Sequence, residues 1–172
     1  MASHFDNVFL TVGTTEFDEL LKSIDNEMFV KSLNLLSCKI FTLQMGRGVY
    51  IPSILPTELK KIGIEYELYR FKPTLDFDMK TANLIISHCG AGSILEALSL
   101  EKSLIVVVND TLQGNHQIEL AVELSKQNYC ISTSPALLCD QLSKFQSSGG
   151  KLTPFPKPDY NAFPALIDNL MK

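Results

Sequence analysis

Five consecutive apolar residues, Leu104-Ile-Val-Val-Val108, leave no face of an extended segment for water. A strand of that composition is buried on both sides, as in a parallel sheet held between helices. The rest of the chain repeats the theme. Strand-like runs stand at 8–12, 40–45, 64–69 and 84–87, with a weaker one at 129–131. Helical periods intervene: one carries Phe17, Leu20, Leu21 and Ile24, a second covers 28–36, and others fall at 74–81, 91–100, 115–127 and 136–145. Such alternation predicts an α/β fold, a Rossmann-like open parallel sheet with helices on both faces.

At 172 residues and 45% hydrophobic, the chain can bury one core of ordinary size. Residues 1–146 read as one Rossmann-like α/β domain, 147–158 as a linker rich in Ser, Gly, Pro and Lys, and 159–172 as a helical tail. Pro164 suits the first turn of that tail helix, and Leu166, Ile167, Leu170 and Met171 would form its apolar stripe. Met28, Met45 and Met79 read as core filler.

A formal charge of −4 without a Lys/Arg block argues against nucleic acid as a partner. No run approaches the ~20 apolar residues of a membrane span, and the first residues lack a signal-peptide pattern. Direct membrane insertion is therefore not expected. Four scattered cysteines read as reduced thiols of a cytoplasmic protein. No metal-ligand spacing is present, so no metal site is expected. Nothing in the sequence requires a cofactor, and dependence on a divalent cation is left open.

In open parallel sheets ligands bind beyond the carboxyl ends of the strands. Four polar or glycine-bearing segments occupy such ends: Gly13-Thr14-Thr15, Gln44-Met-Gly46-Arg47-Gly48, Ser87-His88 with Gly90-Ala91-Gly92, and Asn109-Asp110 leading to Asn115-His116-Gln117. The third is the most informative. A buried strand ends in Gly-Ala-Gly, and helix-period residues Ile94, Leu95 and Leu98 follow. Strand, glycine turn and helix aim free N–H groups and the positive end of a helix at an anion. Glu96 then stands within reach of the same ligand. A local alternative is a capping box, with Ser93 as N-cap and Glu96 three residues on. Arg47 is open to two readings, a phosphate or partner contact or a solvated loop side chain. A dinucleotide site is disfavoured because Leu95 takes the third glycine position and the first strand's turn has no G-x-G-x-x-G. No Walker sequence is present.

Phe9-Leu-Thr-Val-Gly-Thr-Thr15, Gln44-Met-Gly-Arg-Gly48, Ser87-His-Cys-Gly-Ala-Gly-Ser93 with Glu96, and Asn115-His-Gln117 with Glu119 and Leu120 occur together and in this order. Over roughly residues 7–130 the set resembles the cytosolic catalytic subunits of the eukaryotic UDP-N-acetylglucosamine transferase of dolichol-linked oligosaccharide assembly. These are similar to the donor half of the bacterial glycosyltransferase that completes the peptidoglycan lipid precursor. The resemblance implies the C-terminal, donor half of a GT-B glycosyltransferase. It also implies that Gly90, Ala91, Gly92 and Ser93 contact the UDP diphosphate, with Gly13 and Thr14 bordering it. Glu96 would accept from ribose hydroxyls, backbone after Phe71 would meet the uracil, and His116 and Gln117, beside Asn115, would hold the sugar. Ser87 and His88 belong to the same motif. His88 and His116 are the candidates for a catalytic role, with the base itself unassigned.

The resemblance implies an inverting, β1→4 transfer of N-acetylglucosamine to dolichyl-pyrophosphate-N-acetylglucosamine, a lipid-linked acceptor. It further implies a membrane-anchored acceptor-domain subunit, asparagine-linked glycosylation 14-like, that recruits the chain to the cytosolic face of the endoplasmic reticulum. Two other classes stay in view: a non-catalytic nucleotide-sugar-binding regulatory module, and a UDP-N-acetylglucosamine epimerase.

Overall fold

The computed structural model describes residues 4–109 and 115–157, and at 115–117 the helical backbone alone. In chain order the elements are β1 (Asn7–Thr11), α1 (Asp18–Ile24), α2 (Glu27–Leu35), β2 (Ile40–Gln44), α3 (Ile54–Lys61), β3 (Glu65–Tyr69) and α4 (Asp76–Thr81). There follow β4 (Leu84–His88), α5 (Ala91–Ser99), β5 (Ser103–Val107), α6 (Asn115–Lys126), β6 (Ile131–Thr133), a 3-10 turn at Pro135–Leu137, and α7 (Leu138–Ser147). The strands form one sheet in the order β3-β2-β1-β4-β5-β6, and every neighbouring pair is parallel.

Side chains that alternate along a strand enter opposite layers. Val8, Leu10 and Val12 meet Leu20, Leu21, Phe29, Leu33, Leu55 and Leu142 on one face of the sheet. Phe9, Ile85, Leu104 and Val106 meet Met79, Ile94, Ala97 and Ala121 on the other. Both faces are therefore covered, and β5 is buried through its apolar run as expected. The sheet order reverses direction between β1 and β4, so the turns after these strands diverge to opposite faces and open a crevice at their carboxyl ends.

Several local expectations need correction. α5 begins at Ala91 with Gly90 as N-cap and no side-chain cap, so the Ser93–Glu96 capping box does not form. The weak strand lies at Ile131–Thr133 rather than 129–131, because Tyr129 still donates to the Leu124 carbonyl (3.0 Å) at the end of α6. Helix α3 had no counterpart in the sequence pattern. Met28 is 62% exposed and fills no core, whereas Met45 and Met79 do.

Part of the segment with linker composition is docked. The Gly150 amide donates to the Phe145 carbonyl (2.8 Å), the Thr153 amide to the Asn128 carbonyl (2.8 Å), and Phe155 meets Tyr129 edge-on at 5.1 Å. The expected helical tail, 159–172, lies outside the described residues. Among those described, no helix is long and apolar enough to cross a membrane.

Candidate functional site: a cleft at the carboxyl ends of β1 and β4

The crevice at the switch point is a cleft of about 510 Å³. Gly13 and Thr14 border it from the turn after β1, Gln44 from the end of β2, and Phe71 to Asp76 from the loop after β3. His88, Gly90, Gly92, Ser93 and Glu96 close it from β4 and α5. A hollow of about 260 Å³ beneath residues 150–155 is enclosed by Glu101, Lys102 and Tyr129. It holds none of the motif residues and faces away from the strand carboxyl ends.

The first turn of α5 supplies the cleft's positive character. Gly90 caps it through backbone alone, its carbonyl accepting from the Ile94 amide at 3.0 Å. The amides of Ala91, Gly92 and Ser93 thus point out of the helix without intrahelical partners. A Cβ on Gly92 would meet nothing within 4 Å, so the space in front of that amide is open. Backbone donors of this kind hold a phosphate at contact distance.

Beneath the turn lies His88, only 8% exposed. Its imidazole is wedged between two glycines, and a Cβ at either Gly13 or Gly90 would overlap the ring. Gly13 has φ +61°, a second reason for glycine there. Burial lowers the His88 pKa below the ordinary 6.5, opposed by the Thr11 backbone, so the ring is neutral near pH 7. Nδ1 has no hydrogen-bond partner among the described residues. A neutral, immobilised ring under the anion turn suits donation of one N–H to a ligand. The same neutral form is the one that accepts a proton, so His88 keeps its place beside His116 among the candidates for a catalytic role.

Ser87 also departs from the expected binding set. It is fully buried, and its hydroxyl donates to the His88 carbonyl at 2.8 Å. The Gly90 amide shares that carbonyl at 2.7 Å. Ser87 therefore shapes the turn from below and does not line the cleft.

Glu96 stands one turn into α5, half-buried at the cleft wall. Its carboxylate makes no hydrogen bond or ion pair with the described residues. An acceptor held unpaired at a cleft wall fits a diol. Phe71 is 50% exposed on the wall that faces it. Opposite the glycine turn, the Thr11 hydroxyl accepts from the Gly13 amide (2.9 Å) and donates to Oε1 of Gln44. Sequence reading had no site role for Gln44 or for 72–76; only the placement of 44–48 at a strand end pointed there. Arg47 is exposed, with its amide fixed by the Thr15 carbonyl at 2.9 Å. Asn115, His116 and Gln117 open α6 as expected, but their side chains lie outside the described residues. No cluster of three or more metal-ligating side chains occurs among the described residues.

An all-parallel sheet of this order, with an anion turn on the fourth strand and a carboxylate one turn into the next helix, defines a Rossmann-like donor-half domain of GT-B type. The chain belongs to the glycosyltransferase family 28 C-terminal domain family, which it matches over residues 7–155. It is 40% identical over 148 residues to human UDP-N-acetylglucosamine transferase subunit ALG13, a match covering 84% of this chain but 12% of that relative. The solution structure of ALG13 superposes with a TM-score of 0.65 at 24% identity, covering 95% of each chain. MurG of Acinetobacter baumannii superposes at 0.64 with 15% identity, over 99% of this chain and 51% of MurG.

Proposed function

We propose that the chain binds UDP-N-acetylglucosamine in this cleft and serves as the donor-binding, catalytic subunit of an inverting transferase. The acceptor is the N-acetylglucosamine on dolichyl pyrophosphate, and the product linkage is β1→4. The observation that carries this reading is the unpartnered first turn of α5 with unpaired Glu96 a turn beyond, facing one cleft. The amides of Ala91, Gly92 and Ser93 take the diphosphate, with His88 beneath and Gly13–Thr14 opposite. Glu96 takes the ribose hydroxyls, and the Phe71 peptide takes the uracil edge. Asn115, His116 and Gln117 are assigned to the sugar.

In the reaction the acceptor hydroxyl attacks the anomeric carbon, its proton passes to a base, and the C–O bond to UDP breaks with its electron pair on the diphosphate. Fixed dipoles placed where that charge grows stabilise the transition state without reorganising. On the donor side His88, neutral and with its Nδ1 unpaired, is the described candidate for that base, and the side chain of His116 lies outside the described residues.

A second observation bears on the partner. On the same edge, Val49, Ile51 and Ile54 are 78%, 58% and 48% exposed. Yet Asp18 pins the loop that carries the first two through the Val49 and Tyr50 amides (3.2 Å each), and Arg70 through the Gly48 carbonyl (2.7 Å). A rigid apolar rim beside a donor cleft fits coverage by an acceptor-binding, membrane-anchored subunit, asparagine-linked glycosylation 14-like, at the cytosolic face of the endoplasmic reticulum. The test is transfer from labelled UDP-N-acetylglucosamine, with and without a membrane fraction containing the partner. Activity only with that fraction is expected. Binding without any transfer would leave a regulatory module, and isomerised free sugar would indicate an epimerase.

A further inference from the structure

The loop that joins β3 to α4 forms one wall of the cleft through Phe71, Lys72, Pro73, Thr74 and Leu75. It is not held by its own backbone: the N–H and C=O of Phe71 have no partner among the described residues. Side chains hold it instead. Asp78, in the first turn of α4, has a side chain 4% exposed. It accepts from the Tyr69 hydroxyl at 2.5 Å and from the Lys72 ammonium at 3.1 and 3.2 Å. Lys72 also pairs with Glu67 at 3.1 Å and lies over the Tyr69 ring, 4.1 Å from its centroid. The end of a strand, the loop and the next helix are thus tied at one buried carboxylate. Leaving such a charge without its partners is costly, so the tie is stiff.

We propose that Tyr69, Asp78 and Lys72 form a clasp that fixes the Phe71 peptide and thereby sets the pyrimidine selectivity of the cleft, uracil over cytosine. This rests on the reading of the cleft as a UDP site. Uracil presents an N–H donor beside a carbonyl acceptor, and cytosine presents the reverse order on the same edge. A peptide whose N–H and C=O cannot turn matches uracil and leaves two unpaired polar groups against cytosine. A peptide free to turn matches either. Sites built around fixed hydrogen-bonding groups discriminate strongly for this reason. The three clasp residues are positioning residues and do not themselves touch the base.

Calorimetric titration of the chain with UDP and with CDP, for the native protein, Lys72→Met and Asp78→Asn, tests the clasp. The native chain should prefer UDP by about 100-fold or more. Both variants should lose about tenfold or more in UDP affinity while CDP affinity stays within about twofold, so the ratio narrows; Lys72→Arg should restore much of it. Melting curves identify any variant that does not fold, and Lys72→Met is the milder change, since Lys72 is part-exposed and Asp78 keeps the Tyr69 hydroxyl as donor. An unchanged UDP/CDP ratio in a folded Lys72→Met chain, or equal losses for both ligands, would overturn the clasp. Failure of the native chain to bind UDP at all would instead overturn the donor-site reading.

Discussion

The backbone amide of Leu55 donates to Oδ1 of Asp25 at 2.7 Å across thirty residues of chain. Ile54 shares that oxygen at 2.8 Å, while the Ser53 amide (3.0 Å) and Tyr50 hydroxyl (2.7 Å) take Oδ2. One carboxylate from the α1–α2 turn therefore caps α3 and anchors the apolar rim loop. Burial on its own raises the Asp25 pKa. The hydrogen bonds from Ser53, Tyr50, Leu55 and Ile54 outweigh it and bring the value below 3.8.

Because the folded pKa lies below the unfolded one, Asp25 stabilises the protein above about pH 4 and loses that contribution as pH falls through the folded value. Asp25→Ala should cost about 3 kcal/mol at pH 7, since hydrogen bonds to a charge are worth ~1.5–3 kcal/mol each and the Leu55 amide left behind is buried. Asp25→Asn keeps an acceptor and should cost less. Denaturant unfolding at pH 7 and pH 3 measures both. The gap between native and Asn chains should narrow at pH 3, and a constant gap would mean that the charge is not what Asp25 contributes.

His88 works in a separate window with the same sign. Burial lowers its folded pKa below 6.5, so the folded state binds fewer protons than the unfolded one. Its contribution is present above about pH 6.5 and is lost as pH drops through the folded value. The native chain should lose melting temperature between pH 7 and pH 5, and His88→Gln should remove most of that slope. A slope equally steep in the variant would assign it to another group.

Most strands were legible because two-sided burial leaves apolar runs, and the carboxyl-edge rule then gathered the four polar segments. Helix α3 was not legible for two physical reasons. Its buried face is only Leu55 and Leu59, and its cap comes from Asp25 rather than from a neighbouring residue. Pro56 reads as a breaker, yet it sits in the first turn, where its missing N–H costs nothing. Glu96 could also be read as a capping residue, but α5 starts at Ala91, as the 91–100 period predicts, which carries Glu96 past the N-terminus and into the cleft. The wall from Lys72 to Asp76 has no motif. It becomes a site only through Asp78, whose partners Tyr69 and Lys72 fold the loop back on α4.

Two glycines two positions apart, Gly90 and Gly92, should respond in opposite ways. Gly90→Ala places a methyl group on the His88 ring and should lower the melting temperature. Gly92→Val meets no atom within 4 Å of its Cβ, so stability should hold or rise slightly, while UDP affinity falls at least tenfold as the amides are screened. Thermal melts and UDP titration of both variants distinguish a packing glycine from a ligand glycine. Unaltered UDP affinity in Gly92→Val would place the diphosphate elsewhere.

Glu96 gives the cleanest separation of fold from ligand. Its carboxylate has no partner among the described residues, so nothing in the folded state depends on its charge. Glu96→Gln preserves shape and helix propensity and should leave the melting temperature unchanged within about a degree, as surface substitutions do. Toward UDP the change should be large. A carboxylate accepting from ribose hydroxyls contributes ~1.5–3 kcal/mol, so the dissociation constant should rise about 10- to 100-fold. The loss should be the same for UDP and CDP, because both carry the ribose, and should vanish when inorganic pyrophosphate is the ligand. Titration with those three ligands decides it: a variant that binds UDP normally would remove the ribose from the Glu96 side of the cleft.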